Sequence, residues 1–277
     1  MNSVCFYHRA DLDGKCSGAI VKYYDPDVKL ISFDYNEPFP WEEIKKDTKV
    51  YMVDLSLDND DMYKLNKKCM EFIYIDHHIS KLSGLDLSQF EGLQVDGVAA
   101  CELTWKHLIS ENNIPTSVRL LSRYDTWDLD PNVLAFQYGV RALNLDPNDT
   151  KGWIKNIFDD IYTPQIIRNG EVILKYVEMT QEETVKRTGF HIQWGGYDVL
   201  AMNITQGSSL LFKGHLDYLN ADILMVFGWT GKIWKISLYT TKKHIDVSKI
   251  AMEYRGGGHR QAAGFVCNEL PFQLGET

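Results

Sequence analysis

The chain has 277 residues, 44% of them hydrophobic, and a net charge of −9: enough apolar material for one large or two ordinary domains, and too much negative charge for a broad duplex-binding surface. No 18-residue apolar stretch occurs and residues 1–4 do not open a charged-then-apolar leader, so neither a signal peptide nor a membrane span is expected and the setting is the cytoplasm. The five cysteines are odd in number and scattered, without a Cys-x-x-Cys pair, which excludes a disulfide scaffold and reads as reduced, packed thiols.

In the N-terminal half, residues 4–7 form a first strand that runs into His8-Arg9-Ala10-Asp11-Leu12-Asp13-Gly14. Residues 15–24 then read as a helix with Ala19, Ile20 and Tyr23 on one face. A second strand spans 28–33, and a third, 50–53, ends in Asp54-Leu55-Ser56. After a charged helix over 58–70, a fourth strand over 72–75 stops at Asp76-His77-His78. Strands alternating with helices predict a parallel sheet, and its crossovers bring the strand-end acids to one edge, where open α/β folds bind ligands. Beyond it, 97–111 reads as an amphipathic helix, and Pro115 restarts the chain into a run ending at Asp125, with Asp128 and Asp130 as competing acids.

His8, Asp11, Asp13, Asp54, Asp76, His77 and Asp125 form a mixed nitrogen and oxygen ligand set without thiolate, suited to Mn²⁺ or Mg²⁺ rather than structural zinc. Aspartates crowded into one crevice repel one another unless they are protonated or cations sit among them. Two ions sharing a carboxylate satisfy such a set and suit phosphoryl hydrolysis, with a nearby uncoordinated histidine as proton donor.

The C-terminal half opens with a turn at 146–149 and a helix over 151–161. Pro164 starts a long helix to about Arg187, stopped by Gly189, whose apolar face suits either core packing or a homodimer surface. Strands follow at 197–202, 223–227 and 232–239, the last two joined by a Thr230-Gly231 turn, and then a capped short helix over 245–251. Gly256, Gly257 and Gly258 can turn backbone N–H groups inward as an anion nest, with His259 and Arg260 as directed donors. Trp127, Tyr124, Tyr239 and Trp194 are the aromatic residues that could stack on bases. The predicted fold class is α/β, with a parallel-sheet catalytic domain over 1–163, a linking helix over 164–190 and a smaller mixed α/β substrate-binding domain over 191–277.

The motif series resembles the DHH phosphoesterase family along nearly the whole chain. The matching elements are His8, Asp11 and Asp13; the lone Asp54; the triplet Asp76-His77-His78; and the later Asp125. The resemblance implies that His8, Asp11 and Asp54 hold a first metal, and that Asp13, Asp54, His77 and Asp125 hold a second, with Asp54 as the bridge. It also implies that His78 faces the substrate phosphate and that Asp76 braces the histidines. Gly256 to Arg260 resembles the glycine-rich substrate motif of the DHH-associated domain in oligonucleotide-cleaving members rather than the pyrophosphatase branch. The chain departs from that pattern at Arg255, where members commonly carry glycine, and at 237–240, which lacks an arginine, leaving Arg255, Lys242 or Lys243 to contact phosphate. The implied activity is two-metal hydrolysis, with Mn²⁺ or Mg²⁺, of short single-stranded oligonucleotides or linear dinucleotides. The alternatives are a phosphomonoesterase acting on a nucleoside bisphosphate, a cyclic-dinucleotide phosphodiesterase, and a nucleotide-binding regulatory protein without turnover.

Overall fold

A computed structural model describes residues 2–35, 37–78, 84–205 and 220–273, and divides the chain into two units, Met1–Leu174 and Lys175–Thr277. The first unit is α/β. Its elements run β1 (Asn2–His8), α1 (Leu12–Tyr24), β2 (Lys29–Phe33), β3 (Thr48–Val53), α2 (Asn59–Lys68), β4 (Glu71–Asp76), β5 (Glu91–Gln94), α3 (Ala100–Leu108), α4 (Thr116–Asp125), α5 (Pro131–Leu143) and α6 (Thr150–Trp153). The five strands form one parallel sheet in the order β2-β1-β3-β4-β5.

Both faces of this sheet are covered, which is why its central strands read as continuous apolar runs. Alternation sends Val4, Phe6, Val50, Met52, Phe72 and Tyr74 towards Met62 and Leu65 of α2. The intervening Cys5, Tyr7, Tyr51, Val53, Ile73 and Ile75 meet Val21 of α1 and Leu103 of α3. Register then places the site: Tyr7 pairs with Val53 and Val53 with Ile75, so His8, Asp54 and Asp76 stand side by side at the carboxyl ends of three adjacent strands.

Some elements differ from the sequence reading. The first helix begins at Leu12, because the Asp11 side chain caps it by accepting from the Gly14 N–H at 3.0 Å, and Asp13 therefore lies in the first helical turn. Gly14 is required here, since a β-carbon would stand 2.1 Å from the His8 carbonyl oxygen. The edge strand β5 was not anticipated, because Leu93 is the one large apolar residue in Glu-Gly-Leu-Gln. The predicted helix over 151–161 divides into α6 and a π-helical turn, Ile154–Phe158.

The helix α7 (Thr163–Thr188) contains the boundary between the units. Its Ile166 and Val185 are buried, whereas Val172, Tyr176 and Met179 are exposed. The second unit holds β6 (Gly189–Trp194), β7 (Tyr197–Asn203), β8 (Ile223–Trp229), β9 (Trp234–Tyr239), α8 (Val247–Glu253), β10 (Gly257–His259) and β11 (Ala262–Cys267). They form a mixed sheet in the order β10-β11-β9-β8-β7-β6, with β7 and β8 the parallel pair. Val199, Met225, Phe227, Ile236 and Leu238 pack with Val247 and Ala251 of α8. The unanticipated β6 follows α7 directly. Trp194, at its end, is buried against Tyr254 and Phe265 and so is no stacking platform. All five cysteines are free, and among the described residues no helix is long and apolar enough to cross a membrane.

Candidate active site

Every strand-end acid and imidazole singled out in the first unit arrives at one place. His8 Nδ1 lies 3.1 Å from Asp11 Oδ2 and 3.5 Å from Asp54 Oδ2. His77 Nε2 lies 3.2 Å from Asp125 Oδ2 and 3.5 Å from both Asp13 Oδ2 and Asp54 Oδ1. Asp54 thus turns one oxygen towards the His8 group and the other towards the His77 group. Its backbone is left-handed, with φ of 56°, and its N–H is anchored to the Ile75 carbonyl at 3.0 Å. A non-glycine residue held there costs about 1–2 kcal/mol, and such strain concentrates where a side chain has to be aimed.

The remaining first-unit residues fix the orientation of these ligands. Asp13 is buried, and its two oxygens accept from the Ala100 and Cys101 N–H groups, at 2.9 and 2.7 Å, at the start of α3. The helix N-terminus favours that negative charge. Asp76 is buried and accepts through Oδ1 from the His77 and His78 backbone N–H groups and from His78 Nδ1 at 2.8 Å, and through Oδ2 from the Tyr74 hydroxyl at 3.0 Å. Sequence reading missed Tyr74, yet the signal was present: two residues before Asp76 on a strand, it shares that face. It also missed the N–H pair of α3, which no side chain announces. Asp128 and Asp130 leave the competition with Asp125, because Arg123 holds both, at 2.7 and 2.9 Å.

The electrostatics are those of a site built for cations. Burial pushes the Asp13 carboxyl well up, and the charges of Asp54 and Asp125 push it further. Burial likewise raises Asp54, partly offset by His77 and His8. Burial alone would lower His8, but the facing carboxylates of Asp11 and Asp54 outweigh it and bring the imidazole to about 10. Against the same burial effect, Asp125, Asp54 and Asp13 raise His77 to about 11. Burial would raise Asp76, but its bond to His78 prevails and holds it below the usual range, so it accepts and His78 Nδ1 carries the proton.

The donor set fits divalent ions. His8 Nδ1, both Asp54 oxygens and His77 Nε2 are buried without a properly directed hydrogen bond, although each has an oppositely charged neighbour within 3.5 Å. Ligands around an ion at about 2.1 Å stand roughly 3.0–3.4 Å apart, close to the spacings seen here. The groups His8, Asp11, Asp54 and Asp13, His77, Asp125 each converge within 4.8 Å, as do Asp54, Asp76, His77 and His78.

The glycine-rich segment of the second unit has a different form from the nest read in the sequence. Gly257–His259 is the edge strand β10, paired through Gly258 with Ala263 and His259 with Ala262. At Gly258, φ is 140° and a β-carbon would meet Ala263 at 2.5 Å, so glycine serves close strand pairing rather than an open loop. Ladder pairing thus takes up backbone groups that a nest would leave free. His259 and Arg260 are exposed, and Arg260 donates to the Lys243 carbonyl at 2.7 Å. Arg255 adopts φ of 60°, the backbone a glycine would supply.

No family model matches the chain. A protein of Acanthamoeba polyphaga mimivirus described as uncharacterized is 23% identical, aligning with 91% of this chain and 60% of its own length. Oligoribonuclease NrnB of Bacillus subtilis is 25% identical, aligning with 97% of this chain and 74% of its own length. The chain therefore spans 60% and 74% of the lengths of these two relatives. Among solved structures, the pGpG-specific phosphodiesterase PggH of Vibrio cholerae shares the fold with a TM-score of 0.52 at 12% identity, covering 97% of this chain and 94% of that one. The expected α/β fold with a parallel sheet is borne out and is shared with PggH, and the motif residues gather into groups that could hold a metal ion.

Proposed function

We propose that the protein is a two-metal phosphodiesterase that cleaves short single-stranded oligonucleotides or linear dinucleotides to mononucleotides in the cytoplasm. The observation that carries this reading is Asp54, whose two buried oxygens face two separate ligand groups. The oligoribonuclease activity named for the B. subtilis relative supports the substrate class. In this reading His8, Asp11 and Asp54 hold one ion and Asp13, Asp54, His77 and Asp125 the other, Mn²⁺ in the first instance and Mg²⁺ as the alternative. When bound, such ions activate water and neutralise charge gathering on the attacked phosphate.

The chain's own residues supply orientation and the proton. With Nδ1 donated to Asp76, His78 keeps Nε2 for the substrate and can deliver a proton to the departing oxygen. Asp76 supplies the compensating negative charge, and Tyr74 fixes its second oxygen. Asp13 accepts from two N–H groups at the start of α3, which orient its carboxyl group towards His77. Gly256, Gly257, Gly258, His259 and Arg260 are the proposed substrate-binding segment, His259 and Arg260 donating to phosphate oxygens.

The test is purified protein with Mn²⁺, offered a linear dinucleotide, a five-mer, a long single strand, a cyclic dinucleotide and a nucleoside bisphosphate. Mononucleotides from the first two, with little product from the others, are expected. Free phosphate from the bisphosphate alone would make the protein a phosphomonoesterase. Cleavage of the cyclic dinucleotide in preference to the linear one would move it to that substrate class. Nucleotide binding without turnover, with wild type indistinguishable from Asp54→Ala, would make it a regulatory protein.

A further inference from the structure

Two residues beyond Asp125, the chain does something that local energetics oppose. The helix α4 ends in a turn in which Trp127 N–H donates to the Tyr124 carbonyl at 3.2 Å and Asp128 N–H to the Arg123 carbonyl at 2.9 Å. The residue at the head of such a turn takes left-handed backbone, and glycine is its usual occupant. Here it is tryptophan, with φ of 61° and the residue 64% exposed. A bulky side chain in this region is disfavoured, and an indole open to water leaves a large apolar face unburied. Neither the helix end nor the core gains from it.

The surroundings define what would cover the indole. Among the described residues no other ring or cation lies over it. Arg123 is committed to Asp128 and Asp130, which pins the loop, and Arg141 lies instead over the rings of Tyr124 and Tyr138. Asp128, next to Trp127, is already paired with Arg123, so the indole offers an exposed apolar face that suits a flat uncharged ring. Two residues of chain span at most about 7 Å, so the indole starts within one nucleotide's reach of the Asp125 carboxylate.

We infer that Trp127 is a specificity-determining residue, a platform on which the nucleobase attached to the reacting phosphate stacks. The inference rests on the phosphodiesterase reading only for the identity of the site beside it. It makes the substrate class nucleotides rather than phosphate esters at large, because an ester without a base forgoes this contact.

The test is calorimetric binding of a nucleoside monophosphate and of inorganic phosphate to the Mn²⁺-loaded wild type, Trp127→Phe and Trp127→Gly. Trp127→Gly removes the ring and accepts the left-handed backbone without strain, so its melting temperature should equal or exceed that of wild type. It should lose about 5- to 150-fold in nucleotide affinity, the worth of one base stacked on an aromatic ring. Its affinity for inorganic phosphate should stay within about twofold, since stacking reads only the base. Trp127→Phe should retain most of the nucleotide affinity. Unchanged nucleotide affinity in Trp127→Gly, an equal loss for nucleotide and phosphate, or a wild type that does not prefer nucleotide over phosphate would each overturn the platform. A wild type that shows the preference yet cleaves no dinucleotide would instead overturn the phosphodiesterase reading and leave the platform standing.

Discussion

The sheet-edge cluster of the first unit and the glycine-rich hairpin of the second carry opposite physical signatures. Asp13, Asp54 and Asp76 are buried, and their positions are set by strand register, a helix N-terminus and a left-handed turn. His259, the last residue of an edge strand held by one neighbouring strand, and Arg260, in the turn after it, are exposed. The difference teaches where precision is needed. Mutually repelling groups can be kept close only inside a rigid frame, whereas the donors proposed to meet phosphate stand on a surface that costs little to rearrange.

The sharpest way to break this contrast is at Asp54. Asp54→Ala should lower kcat about 10⁴-fold or more and strip bound Mn²⁺, while Asp125→Ala should cost about 10²-fold, since it touches one ligand group. Turnover and Mn²⁺ per chain measure both, and equal losses would remove the two-sided role of Asp54. A smaller effect concerns protons. His8 and His77, raised to about 10 and about 11, are charged at neutral pH in the metal-free protein, yet must be neutral to bind an ion. Each ion therefore displaces a proton, and its apparent affinity should rise about tenfold per pH unit between pH 6 and 8, read by calorimetry in buffers of differing ionisation enthalpy. The linked sign for the metal-free fold is opposite. Both pKa values lie above the ordinary 6.5, so the stabilisation is full below pH 6.5 and is lost as pH climbs through about 10 to 11. The mildest outcome belongs to the hairpin: His259→Ala should raise KM about tenfold, one hydrogen bond to a charged group, with Mn²⁺ content unchanged. Loss of metal in that variant would erase the contrast between the two regions.

What could be read from the amino-acid order follows the same division. The strands β1, β3 and β4 announce themselves as apolar runs that stop at His8, Asp54 and Asp76, and parallel pairing does the rest. Asp125 could not be told from Asp128 and Asp130 by spacing, because the discriminating fact is a contact with Arg123 on a helix end. The support for Asp13 comes from backbone N–H groups 87 and 88 positions away, which carry no residue-type signal. The three glycines suggest a nest in the sequence because glycine has no pattern of its own. The strand character of Gly257 and Gly258 comes from β11, which supplies the partners.

The left-handed backbone of Asp54 has a consequence for anyone who engineers the protein. A library scored by expression or heat resistance will tend to enrich Asp54→Gly, which relieves about 1 kcal/mol of conformational strain and removes a buried carboxylate. The hardiest clones from such a screen should be the inert ones, so enrichment for robustness has to be coupled to an assay of phosphate-ester cleavage.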